Sequence, residues 1–162
     1  MKAIIIYYSY SGNTKKVMQQ IQTKLMAPLI EIEPVVPYTN NYNELVEAMQ
    51  RPDNPNLEPK IKDINTDISN YDMIILGTPV WWYTIAAPIR TFLKSNDLSN
   101  KVLIPVATNG GWIGHTFNDI KKLSKAQITN ELNLKFDGDV LNNQDDLNKW
   151  LENVNNKMKE EI

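Results

Sequence analysis

A chain of 162 residues, 42% of them hydrophobic, is long enough for one domain with its own core and too apolar to be disordered. Its net charge is -2 with the basic residues scattered, which excludes a nucleic-acid surface, because that needs a concentrated basic patch. The lack of any cysteine excludes disulfides, thiolate nucleophiles and iron–sulfur ligation.

The opening "MKAIIIYYSY" has one lysine and only a short apolar run. A signal peptide needs a longer apolar region and a small-residue cleavage site. No segment approaches the roughly 20 apolar residues of a membrane span. The expectation is a soluble, cytoplasmic, single domain over 1–162. "KAIIIYY" (2–8) reads as a strand buried on both faces, being continuously apolar rather than alternating. Val17, Met18, Ile21 and Leu25 then share one helix face. "LIEIE" (29–33) is a second strand. Residues 34–66 hold five of the nine prolines and one short helical patch, Leu45, Val46 and Met49. This segment reads as a long connection, the alternative being an excursion that covers part of a site.

"MIILG" (73–77) is the next buried strand, followed by Ile85, Ile89, Phe92 and Leu93 at helical spacing, with Pro88 suited to a first turn. "VLIPVAT" (102–108) follows the same plan, but Pro105 lacks an N–H for the ladder and calls for a bulge. Phe117, Ile120 and Leu123 make a weaker stripe. "ELNLKF" (131–136) alternates and reads as an edge strand. Leu147, Leu151, Val154 and Met158 define a final helix. Strand and helix alternating about five times predict an α/β fold, a parallel sheet with helices on both faces. Ligands of such sheets sit beyond the carboxyl ends of the strands, here in three loops.

The first loop, Ser9 to Thr14, joins a strand to a helix start, whose unpaired N–H groups favour an anion. Gly12 permits a tight turn, and Ser9, Ser11, Asn13 and Thr14 offer neutral donors. No lysine is placed as in a P-loop and no "GxGxxG" follows the strand. A neutral nest holds a phosphate but does little to transfer it, so the phosphate reads as a handle. The second loop, "GTPVWWYTIAAP", offers Trp81, Trp82 and Tyr83 for stacking on a flat ring, with at least one expected to pack beneath the loop. The third, "TNGGWIGHT", brings Gly110, Gly111 and Gly114 for close backbone approach and Trp112 as a further ring. His115, the single histidine, reads as a surface or capping residue. Without a second histidine or a cysteine, a zinc site is not supported, nor is a Ser-His-Asp triad.

In order and context these loops resemble the flavodoxin family. "SYSGNT" is similar to that family's "[ST]-x-[ST]-G-N-T" phosphate loop, and "GTPVWW" with "TNGGWIG" resembles its short-chain, flavodoxin-like members. The resemblance covers most of the chain. It implies a doubly wound five-stranded parallel sheet in the order 2-1-3-4-5, with flavin mononucleotide (FMN) at the strand ends. Carried over by position, Ser9, Tyr10, Ser11, Gly12, Asn13 and Thr14 would surround the phosphate. Thr78, Pro79, Val80, Trp81 and Trp82 would line the ring and ribityl chain. Thr108, Asn109, Gly110 and Gly111 would border the other side of the ring. The family's electron carriers are typically strongly acidic, which this chain is not.

The expected function is that of an FMN-binding redox protein in which the flavin carries the chemistry. The leading reading is an electron carrier with a redox partner protein. The alternatives are a small NAD(P)H-dependent flavin reductase acting on an acceptor such as a quinone, and a non-redox module that binds a partner through Trp82, Tyr83 and residues 34–66. A phospho-receiver is excluded, because Tyr8, Ser9 and Thr78 stand where its acidic cluster would be.

Overall fold

A computed structural model describes residues 1–50 and 57–160. Five parallel strands form the body of one sheet: β1 (Ala3–Tyr7), β2 (Leu29–Glu31), β3 (Met73–Trp81), β5 (Val102–Asn109) and β7 (Leu132–Asp137). They lie side by side as β2-β1-β3-β5-β7, which is the expected 2-1-3-4-5 order. Three short strands complete it. β4 (Thr84–Ile85) and β8 (Val140–Leu141) turn back antiparallel on β3 and β7, and β6 (Gln127–Ile128) runs beside the start of β5.

The central strands are continuously apolar because both faces are covered. α1 (Asn13–Leu25) and α5 (Gln144–Met158) lie on one face, where Ile5, Ile75 and Ile104 form a row in register. All three are fully buried, and truncating one to alanine should cost about 2–5 kcal/mol. α3 (Ala87–Ser95) and α4 (Thr116–Ser124) cover the other face through Ile89, Phe92 and Ile120. Pro88 sits in the first turn of α3 as expected, but Ile85 belongs to β4 rather than to the helix. β7 keeps its alternation of buried and exposed residues and is the outermost parallel strand.

Pro105 is accommodated without a bulge in its own strand. β5 pairs with β3 in unbroken register from Met73↔Val102 to Pro79↔Thr108, with Pro105 opposite Leu76. On the other side the Gln127 and Thr129 N–H groups donate to the carbonyls of Lys101 and Leu103, so odd-numbered residues of β5 face that edge. Ile128 pairs with Leu103 and Leu132 with Val106, which sets four steps against three. The extra residue therefore lies in the neighbouring segment, where Asn130 takes a positive φ of 51°. The missing N–H of Pro105 faces this gap.

The segment 34–66 does more than connect. It contains α2 (Tyr42–Met49), capped by the Asn41 side chain, and Pro34 bridges antiparallel to Ile61. The Tyr38 ring packs edge-on against Trp81 at 5.2 Å and against Tyr8 at 6.4 Å, and the Tyr10 hydroxyl donates to the Thr39 carbonyl. The first part of the segment thus packs on the rings of Tyr8, Tyr10 and Trp81 from the first two loops. Pro52 and Pro55 lie outside the described residues.

Candidate functional site

The three loops converge at the carboxyl edge of β1, β3 and β5. Parallel pairing carries Tyr7 beside Gly77 and Pro79 beside Thr108, so each loop starts next to another. The first loop turns at Gly12, whose φ of 103° is a left-handed conformation that a side chain would strain. Gly12, the N-cap residue, has no side chain to cap α1, and the first turn holds no acidic residue. The Ser9 hydroxyl accepts from the Gly12 and Lys15 N–H groups, each at 3.2 Å, leaving its own proton to donate. Among the described residues no protein acceptor meets the Asn13 or Thr14 N–H. These amides, a bare helix start and a hydroxyl proton suit an anion. Ser11 and Gly12 are exposed, Ser9, Tyr10 and Asn13 half-buried, and Lys15 and Lys16 face outward.

Some of the neutral donors are used inside the protein. The buried Thr14 hydroxyl pairs with that of Thr108 at 2.7 Å, tying the first loop to the third. The Asn13 amide donates to the Gly138 carbonyl at 2.9 Å, joining the helix start to the β7–β8 turn. The Thr78 hydroxyl donates to the Pro79 carbonyl and accepts from the Ala86 N–H, closing the base of the second loop. Asn109 bonds Asn133 and the Leu134 carbonyl and accepts from the Gly111 N–H, so it shapes the third loop. A Cβ built on Gly110 would meet nothing within 4 Å, which leaves that backbone face open to a ligand edge.

The second loop divides its aromatics. Val80 and Trp81 extend β3 and pair with Ile85 and Thr84, leaving Trp82 and Tyr83 as a two-residue turn. Both have positive φ, 48° and 69°. Such turns favour Asn-Gly, because side chains strain them. Trp81 is the ring that packs beneath, edge-on to Tyr8, Tyr10 and Tyr38. Trp82 is about half exposed and Trp112 more so, and both lie against Tyr83, at 4.9 and 4.4 Å between centroids.

The strained turn is held from the third loop. The His115 N–H donates to the Tyr83 carbonyl at 2.8 Å. Gly114, with φ of 59°, lies so close that a Cβ would fall 2.3 Å from the Tyr83 oxygen. Asp119 accepts from the Thr84 hydroxyl and bonds the His115 ring. His115 does begin α4, but its ring makes no cap. Sequence reasoning missed Thr84 and Asp119; the i,i+4 spacing of His115 and Asp119 on α4 was the available signal. It also missed Tyr8 and Tyr38, whose pairing depends on the excursion after β2.

The three loops bring together neutral side chains, the exposed rings of Trp82 and Trp112, and a helix start whose Asn13 and Thr14 N–H groups are unpartnered among the described residues. Together they suit a phosphate joined to a large flat ring. No cluster of metal-ligating side chains occurs among the described residues, and no described helix is long and apolar enough to cross a membrane.

A family model described as Flavodoxin matches residues 2–154. Among solved structures, a candidate flavoprotein of Bacteroides eggerthii superposes with a TM-score of 0.76 at 25% identity, covering 94% of this chain and 97% of that one. A flavoprotein of Lactobacillus acidophilus, solved in complex with FMN, gives 0.73 at 24% identity over 92% and 97%. A flavodoxin from the domain Archaea gives 0.58 at 16% over 99% and 100%. The last two likenesses are of fold alone. No curated protein matches the chain.

Proposed function

The chain belongs to the flavodoxin family, and from that premise we propose that it binds FMN and works as an electron carrier. The observation that carries this reading is the start of α1, with Gly12 left-handed and the backbone N–H groups of Asn13 and Thr14 unpartnered among the described residues, beside two loops built of aromatics and glycines. The phosphate would lie on the Ser9–Thr14 loop. Thr78, Pro79, Val80, Trp81 and Trp82 would flank the ring on one side, and Thr108, Asn109, Gly110 and Gly111 on the other. When bound, FMN supplies the electron-accepting ring, while the protein positions it and excludes water. The FMN-bound flavoprotein of similar fold supports the choice of cofactor.

The side chains of the three loops are hydroxyls, amides and aromatics. The nearby ionisable pair, His115 and Asp119, is occupied with holding the Trp82–Tyr83 turn. That leaves the ring as the reacting group, as a carrier requires. The exposed Trp82 and Trp112 offer a contact surface for a redox partner. The second reading is a small NAD(P)H-dependent reductase of quinones. The weak net charge favours it, since a carrier gains more from electrostatic steering.

The purified protein is expected to be yellow, or to become so with added FMN. It should pass electrons from a separate reductase and consume no NAD(P)H alone. Steady NAD(P)H oxidation by the protein alone would move the assignment to the reductase. A colourless preparation that ignores FMN would overturn both.

A further inference from the structure

A second cavity, of about 240 Å³, opens beyond the end of β2. Ser9 and Tyr10 line part of it, but no residue of 78–82 or 108–111 does. Its wall is built by pairing: Pro34 bridges Ile61, the Val35 N–H donates to the Lys60 carbonyl, and the Lys62 N–H donates to that of Glu33.

Four groups give the cavity its chemistry. Tyr8 is only 5% exposed and packs edge-on against Trp81. Its hydroxyl has no hydrogen-bond partner among the described residues, although no sealed side-chain oxygen there lacks one. The hydroxyl therefore opens into the cavity that Tyr8 lines. Burial, then the neighbouring Tyr38, Tyr10 and Glu31, push its pKa up, so it stays a neutral donor and acceptor. Glu31 ends β2 and has no ion pair among the described residues. Glu33 and Lys62 pair at 3.7 Å with both side chains about half exposed.

The lining thus offers both donors and acceptors to one sugar-sized space. Glu33 and Lys62 offset each other and leave Glu31 as the free acceptor, and an apolar ligand would strip water from it without a return. A hydroxyl both donates and accepts, and two adjacent hydroxyls can donate to one carboxylate.

We propose that this cavity binds the vicinal diol of a pentose-sized sugar, with Glu31 accepting from the diol and Tyr8 donating to the ligand. The diol belongs either to a free sugar or to the ribose of a nicotinamide dinucleotide. The inference rests on the cavity and not on the FMN assignment.

The test is an amide-resolved NMR titration of the full chain, with and without added FMN. The probes are methyl β-D-ribofuranoside, its 2-deoxy counterpart and NAD+. The ribofuranoside should shift the amides of 31–38 and 60–62 in both forms. The 2-deoxy probe and Glu31→Gln should each weaken binding about tenfold or more, as loss of a charge-assisted hydrogen bond implies. Tyr8→Phe should weaken it about fivefold, the middle of the range for a neutral hydrogen bond, with an unchanged melting temperature. Tighter binding of NAD+ than of the ribofuranoside identifies the dinucleotide, and weaker binding identifies a free sugar. Absence of shifts with every probe, equal binding of the 2-deoxy probe, or indifference to Glu31→Gln would overturn the proposal. So would displacement of the sugar by FMN, which would make the cavity part of the cofactor site. A chain that ignores FMN yet binds the ribofuranoside refutes the function and leaves this inference standing.

Discussion

The buried pair Thr14–Thr108 allows a test whose sign is unusual. The hydroxyls meet at 2.7 Å, with the two residues 1% and 4% exposed, and they join the first loop to the third. Thr14→Val keeps the shape of the side chain but strands the Thr108 hydroxyl away from water. An unsatisfied buried hydroxyl costs about 1–3 kcal/mol. For a chain of this length that is a fall in melting temperature of about 2–4 °C per kcal/mol. Thr108→Val should cost a similar amount by stranding Thr14. The double variant Thr14→Val/Thr108→Val removes both polar groups together and should be nearly neutral. The assay is a double-mutant cycle by thermal and denaturant unfolding of protein without flavin, so that ligand binding does not enter. A coupling of about 1 kcal/mol or more is expected. If the double variant loses the sum of the two single losses, the hydroxyls are separately solvated and the link between the loops does not exist.

Further outcomes follow from other residues. Thr14→Ala should weaken FMN far more than riboflavin by fluorescence titration, because the loop it belongs to holds the phosphate, which riboflavin lacks; equal weakening of both would misplace the loop. Gly114→Ala would drive a Cβ into the Tyr83 backbone at 2.3 Å while keeping a left-handed φ of 59°. Backbone must shift, at about 1–3 kcal/mol of stability, and Trp82 should report it as altered fluorescence. Burial, with Glu31 and Glu33 adding to it, pushes the Tyr7 hydroxyl from 10.0 up to about 12, and burial pushes Tyr8 and Tyr38 up as well. The unfolded chain ionises first, so this stability is complete below pH 10 and for Tyr7 is lost between pH 10 and about 12. Melting temperatures measured up that range should fall, and Tyr8→Phe should lessen the fall.

Much of the site was legible because its signals are local. "SYSGNT" joins an apolar run to a helical stripe, so the turn at Gly12 and the helix start after it follow from adjacent residues. The central strands were legible for a similar reason, since burial on both faces writes itself as an unbroken apolar run. The edge of β5 was not. Pro105 pointed to a bulge in its own strand, and the extra residue instead sits across from it near Asn130, a choice made by a neighbouring segment more than 20 residues later in the chain. Trp81 and Trp82 are identical in the sequence, yet one packs among three tyrosines and the other stands exposed on a strained turn.

The sequence by itself determined the alternation of strand and helix, the strands that lie at the centre and the loops at their carboxyl ends. Each of these rests on periodicity and on turn chemistry within a few residues. Only the tertiary structure decided which side-chain polar groups remain available to a ligand, since the Thr14 and Thr78 hydroxyls and the Asn13 amide find partners far along the chain or across a turn. It alone placed Asp119 and Gly114 behind the Trp82–Tyr83 turn and brought Pro34, Pro37, Tyr38, Asn40 and Lys62 beside Tyr8 to line the second cavity. Long-range contacts of this kind leave no periodic mark, because the residues that meet are selected by packing in space rather than by spacing along the chain.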